Sequence, residues 1–470
     1  MHETFARWLD ARGEADELVG THLERAANDG SDPSVRTALA HDASARLATA
    51  GERALLSFDH AAAANLLERA AALLDEEALD RIEIECSLGP ALRGVGRIDQ
   101  AIELLESTAD RARVAGHRTI ELRARVELAL PLVTRGQLTA EAAAALLDEA
   151  LAVLTEADDV IGVARAETTY VNLLLANGRL DEAFAHVERA DAAYRRLGRS
   201  GQVDTTAVLV ALRGSTTVQE AIRACERSLA GQPDSPRVQA YLLVYLGVLC
   251  ALRGDVARAR QASTGARSHL QELGEDVGLG TSAALLFGET EAIAADWSRA
   301  REVFEQGLDY TRGRPQFQDY RAYFLARLGE IELERADPHA ATSLAEEARG
   351  LAIPGDTDTN VWWRRVGARA LSATDQPRKA LRLGREALSI ADTTEDVLLR
   401  SGARLDLAEV QLRAGRRPEA LSLVREGLEL LDRKGAALPA EHARSRFAEL
   451  LAEEEDGGAA FAAAPLERPT

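Results

Sequence analysis

Residues Tyr241–Leu270 read YLLVYLGVLCALRGDVARARQASTGARSHL. Two runs of helical spacing flank Gly254-Asp255, so the stretch predicts a helix hairpin with a tight turn. Its small residues, Gly247, Gly254, Ala259 and Ala266, stand at offsets 0, 7, 12 and 19. Where two helices of a hairpin cross closely, a large side chain would hold the backbones apart. These offsets are therefore expected to stay small.

The spacing returns along most of the chain. Before this copy come Gly51, Ala63 and Ala70, with a turn near Phe58-Asp59, then Gly89, Gly96 and Ala101. A third copy centres on Gly136, with Ala143 and Ala150 arriving two residues late. Gly178, Ala183 and Ala190 form a fourth, and Gly214 with Ala221 a degenerate fifth. After the opening stretch follow Gly288, Ala295, Ala300 and Gly307, then Gly329, Ala336, Ala341 and Ala348. Ala368, Ala380 and Ala387, then Ala408, Gly415, Ala420 and Gly427, complete about ten units. One hairpin cannot bury both of its faces, so neighbours are expected to stack into a continuous core of local contacts.

Small residues at positions 8, 15, 20 and 27 resemble the tetratricopeptide repeat, over roughly residues 34–433. That resemblance implies an all-α, right-handed superhelical solenoid of about ten helix hairpins. The period is longer than the usual one, as in the large ATP-binding LuxR-type regulators. HETFARWLD (His2 to Asp10), ELVGTHLERA (Glu17 to Ala26) and the segment Ala50 to Leu74 are similar to a junction in bacterial ATPases associated with adenylate/guanylate cyclase domains. There the junction opens the repeat array. The resemblance implies a C-terminal sensor or scaffold portion, without ATPase, cyclase or helix-turn-helix parts. Residues 1–33 then form a helical lead-in with helices near 2–11 and 14–28. Residues 34–452 form the array with a capping end near 436–452, and 453–470 a disordered tail rich in acid, Gly, Ala and Pro.

Composition restricts the function. The chain has 470 residues and a net charge of −20, which opposes binding of nucleic acid or anionic membrane by its whole surface. Its basic residues are arginines apart from Lys379 and Lys434. Cys86, Cys225 and Cys250 lie far apart, without CxxC spacing, and read as buried small residues. No apolar run is long enough to span a membrane and no signal segment stands at the start, so a cytoplasmic location is expected.

The motifs that could carry chemistry fail on their own terms. No G-x-x-x-x-G-K-[ST] loop occurs, so no nucleotide cofactor is expected. Gly278-Leu-Gly280-Thr-Ser-Ala283 imitates a dinucleotide loop without the strand it needs, and reads as a turn with Thr281 as N-cap. Asp356, Asp358 and Asn360 imitate a calcium loop, but Val361 and Gly367 replace its essential Gly and Glu. His22, His60 and His186 read as helix-surface or packing-edge residues. No catalytic, cofactor or metal residue is expected.

Two groups remain as candidate binding residues. Tyr241, Tyr245, Tyr320 and Tyr323 could line a groove formed by first helices. Trp362, Trp363, Arg364 and Arg365, with Arg378, Arg382 and Arg385 on one helical face, could form a patch for an acidic peptide, phosphate or nucleic acid. Against these stand core packing and a solvated face. The sequence thus reads as a non-catalytic interaction or sensor scaffold in bacterial signalling or transcriptional regulation, binding a protein, a peptide or a small effector. A regulatory remnant or subunit of a nucleotide-dependent ATPase or cyclase is the alternative.

Overall fold

The computed structural model describes residues 2–13, 15–29, 32–57, 59–198, 203–231, 236–353 and 356–452. Phe58 and the tail expected at 453–470 lie outside them. The described residues contain twenty-four α-helices and no strand. The lead-in is α1 (His2–Asp10) and α2 (Asp16–Asp29). Four hairpins follow: α3 (Pro33–Leu56) with α4 (His60–Ala72), α5 (Leu79–Gly94) with α6 (Ile98–Val114), α7 (Arg118–Thr134) with α8 (Ala140–Glu156), and α9 (Val160–Ala176) with α10 (Leu180–Arg196). The degenerate fifth is α11 (Asp204–Arg213) with α12 (Val218–Gly231), and the sixth α13 (Pro236–Arg253) with α14 (Val256–Glu272). A short α15 (Asp276–Gly280) precedes α16 (Ser282–Ile293) and α17 (Trp297–Thr311). Then come α18 (Gln318–Glu334) with α19 (Pro338–Leu351), α20 (Thr357–Ala373) with α21 (Pro377–Ala391), and α22 (Val397–Arg413) with α23 (Arg417–Lys434). The last helix is α24 (Ala437–Arg446).

Local chemistry sets the second helices in place. Asp59, Asp255, Asp296 and Asp337 each accept an N-cap bond from a backbone N–H three residues on, satisfying an amide that the helix leaves free. The two extra residues of the third hairpin lengthen its turn, and Thr139 caps α8 there. Thr281 departs from expectation. It occupies the N-cap position of α16, but its hydroxyl donates to the Val277 carbonyl at 2.5 Å and caps nothing.

The small residues divide by cause. A Cβ on Gly89 would stand 2.6 Å from Leu105, and one on Gly288 only 2.1 Å from Phe304, so these positions are small because the second helix presses on them. The turn position is different. Gly96, Gly254 and Gly415 have φ of 81°, 96° and 75°. Gly96 and Gly415 have nothing within 4 Å, and Gly254 only Leu438 Cβ at 4.0 Å. Close helix crossing, expected for Gly254, is therefore not its reason. The left-handed backbone of the turn is.

The described chain divides into two compact units. The first is Met1–Leu173 with Ala185–Val203, and the second is Leu174–Phe184 with Asp204–Thr470. In the first, cores form between neighbours: Leu67 and Leu88 in one cluster, Cys86, Leu105 and Leu128 in the next. Cys86, Cys225 and Cys250 are buried free thiols, as expected, and burial pushes the first two up to about 12.

The second unit is tied from its beginning to its end. Lys434, at the end of α23, is 1% exposed. Its ammonium donates to the carbonyls of Ala211 (2.7 Å), Gly214 (2.6 Å) and Thr216 (2.6 Å). Arg213 bonds Asp396 at 2.7 Å and Asp358 at 2.6 Å. The turn at Gly178 accepts a backbone bond from Glu395 at 2.8 Å.

Candidate functional site

A cavity of 1370 Å³ lies inside the second unit. Its walls come from α11, α13, α16, α18, α20, α22 and α24, so the first helices of successive hairpins face one space. The apolar wall includes Val248, Leu285, Leu286, Leu398 and Phe447.

Five expected residues meet here: Tyr245 from α13, Tyr320 and Tyr323 from α18, and Trp362 and Arg365 from α20. The guanidinium carbons of Arg327 and Arg365 lie 4.1 and 4.0 Å from the Trp362 ring centre. Tyr323 meets the same indole edge-on, with ring centres 6.0 Å apart, and its hydroxyl donates to Glu289 at 2.8 Å.

The other six do not line the cavity. Tyr241 is half-buried beside the Ala240, Val244 and Phe287 cluster, against Gly278. Trp363 is buried with Leu325, Ala326 and Ala348, and Arg364 lies 4.1 Å over its ring. Arg378, Arg382 and Arg385 are exposed along α21, and Arg382 pairs with Glu386 at 3.0 Å.

Charge inside the cavity is arranged in pairs. Arg327 bonds Glu289 at 2.6 Å and also pairs with Glu330. Arg365 bonds Asp406 at 2.8 Å. Arg369 bonds Glu409 at 3.0 Å and Glu334 at 2.8 Å. Arg446 joins Asp406 at 3.3 Å and contacts Glu409, while Arg413 pairs with Glu409 at 3.0 Å. Burial alone would raise the Asp406 carboxyl. Arg365, Arg369 and Arg446 overcome it and hold that group well below the usual carboxylate range. Burial raises Asp358 to about 6 despite Arg213, and neighbouring Asp396 adds to the rise.

Two carboxylates on the wall, Asp319 and Asp356, have no ion-pair partner among the described residues. Asp356 caps α20 by accepting the Thr359 amide at 3.1 Å. It thus serves as a helix cap, while Asp358 pairs with Arg213. No group of three or more metal-ligating side chains occurs among the described residues. No described helix is long and apolar enough to cross a membrane.

Sequence reading missed Asp319, Arg213, Arg327, Asp406 and Lys434. A signal existed for the last: it is one of two lysines in an arginine-rich chain. Three diverging carbonyls suit three diverging ammonium protons and not a planar guanidinium fork. His186 was also misplaced. It is 6% exposed, its Nδ1 lies 2.6 Å from Glu167 Oε2, and it stacks on Tyr170 at 4.0 Å.

No protein-family model and no curated protein matches the chain. Among solved structures it is similar to BtubC (BKLC) from P. vanneervenii, at 16% identity and a TM-score of 0.34, over 45% of this chain and 87% of that one. Yeast Tom70 is similar at 13% identity and 0.37, over 95% of both chains. The APC/C hetero-tetramer Cut9-Hcn1 is similar at 14% identity and 0.36, over 93% of this chain and 91% of that one. The class follows from the helices themselves: an all-α repeat protein of stacked helix hairpins.

Proposed function

We propose that the chain is a protein-interaction scaffold that holds an extended peptide segment of its partner in the cavity of the second unit. The cavity carries this reading. At 1370 Å³ it exceeds the roughly 300–1,000 Å³ of ordinary small-molecule sites, and aromatic and arginine side chains line it, the types enriched at protein interfaces. Paired charges leave the walls polar enough to stay wet until an occupant enters. A signalling or transcriptional setting is supported by the likeness of His2 to Asp10, Glu17 to Ala26 and Ala50 to Leu74 to the cyclase-associated ATPases. A neighbouring reading frame with a phosphate-binding loop would strengthen that setting.

The test is an array of nonapeptides of mixed sequence probed with the full chain. A subset should bind, and Leu398→Trp, which crowds the cavity from α22, should abolish that binding while helical content stays unchanged. Absence of any binding peptide, or binding indifferent to Leu398→Trp, would sink the proposal.

A further inference from the structure

We infer that the segment held in this cavity presents a basic side chain, lysine or arginine, to the part of its wall that carries Asp319, Asp356, Tyr245 and Tyr320. The inference rests on the peptide reading above and names the chemistry its occupant needs.

The charge distribution inside the cavity points this way. Each of the six arginines on its wall, Arg213, Arg327, Arg365, Arg369, Arg413 and Arg446, already has a carboxylate partner. An acidic or phosphorylated occupant would have to break one of those pairs, leaving a carboxylate unpaired in partial burial. Two carboxylates, by contrast, wait without a cation. Asp319, half-buried in the first turn of α18, lines the cavity without an ion pair among the described residues, and the like charge of Asp356 acts on it. An apolar occupant would bury both without compensation.

The rings beside them fit a cation as well. Tyr245 and Tyr320 line the same wall, and no hydrogen bond from either hydroxyl is recorded among the described residues. Ring faces and hydroxyl oxygens attract an ammonium or guanidinium, and carboxylates complete the neutralisation. Leu285 and Leu286 on the neighbouring α16 offer apolar surface for a lysine or arginine stem. Burial, together with the like charge of Asp356, pushes the Asp319 carboxyl up, as expected where a counter-charge is missing.

The experiment uses four fluorescein-labelled nonapeptide pools with Lys, Arg, Gln or Glu fixed at the centre and mixed Leu, Phe, Ala and Ser elsewhere. The full chain should bind the Lys and Arg pools about tenfold more tightly than the Gln pool, and the Glu pool least, the size expected for one charge-assisted contact. Asp319→Asn should remove the preference, weakening the Lys and Arg pools about tenfold more than the Gln pool. Tyr320→Leu, which keeps every charge, should weaken the Lys and Arg pools more than the Gln pool. Circular dichroism checks that both variants fold.

If all four pools bind alike, or Asp319→Asn and Tyr320→Leu leave the preference intact, the inference is overturned. The scaffold reading still stands in that case, provided Leu398→Trp blocks binding. If no pool binds, or Leu398→Trp changes nothing, both fall.

Discussion

The two units are built from the same hairpin, yet their contacts differ in reach. In the first, side-chain bonds reach no further than the next hairpin but one. The most distant among the described residues runs from Arg165 to the Cys86 carbonyl, 79 positions apart. In the second, Lys434 reaches Ala211 across 223 positions, and Arg213 reaches Asp396 across 183. Stacked repeats have only nearest-neighbour coupling, so an open array melts from its ends. An array whose last helices return to its first has no free end, and its hairpins should unfold together. Closure also makes a cavity out of what would be a groove, since the inward charges of α18, α20 and α22 then face one another.

The largest break in this contrast should come from the centre of the charge network. Asp406→Asn leaves Arg365, Arg369 and Arg446 short of a carboxylate in a buried setting. Loss of one partner from such a group costs about 3–5 kcal/mol. Chemical unfolding at neutral pH should show that loss in the second unit. The pH dependence has a fixed sign. Asp406 is held below its unfolded value, so its contribution is full above about pH 4 and lost as pH falls further. The gap between the variant and the native chain should therefore close in acid. A gap that widens below pH 4 would contradict the network.

Next in size is the tie itself. Lys434→Met keeps the length of the side chain but leaves the Ala211, Gly214 and Thr216 carbonyls without their donor, at a cost of about 2–3 kcal/mol. The informative readout is cooperativity. Hydrogen exchange of α11 and α24 should become faster than that of α16 and α18, giving the second unit free ends like those of an open array. Uniform acceleration of all helices would mean that Lys434 supports stability without closing anything.

The fold was legible because its signal is repeated. Gly89 against Leu105 and Gly288 against Phe304 obey one steric rule, and ten weak copies outvote any degenerate one. The site was half legible. Tyr245, Tyr320, Tyr323 and Trp362 stood out as aromatics in a chain poor in them. Arg378, Arg382 and Arg385 stood out as a local basic run on one helical face, yet they lie on an exposed second-helix face outside the cavity. Sequence periodicity gives the face of a helix, not what stands opposite it. Arg213 with Asp396, and Asp319 without a partner, depend on where distant repeats return, and no local pattern encodes that.

The smallest effect tests why the turn position is small. Ala336 and Ala295 hold φ of 60° and 56°, where an L side chain meets its own backbone at about 1–2 kcal/mol. Glycine removes that strain but adds about 0.4–1 kcal/mol of unfolded-chain freedom. Ala336→Gly in the second unit should therefore stabilise by about 0.5–1 kcal/mol, the difference between these opposing terms. Gly96→Ala in the first unit, where nothing lies within 4 Å, should destabilise by a similar amount through backbone strain alone. Gly89→Ala should cost more than Gly96→Ala, because its new methyl meets Leu105 as well. Equal losses at Gly89 and Gly96 would show that one cause governs both positions. A loss at Ala336→Gly would show that the turn depends on the alanine methyl rather than tolerating it.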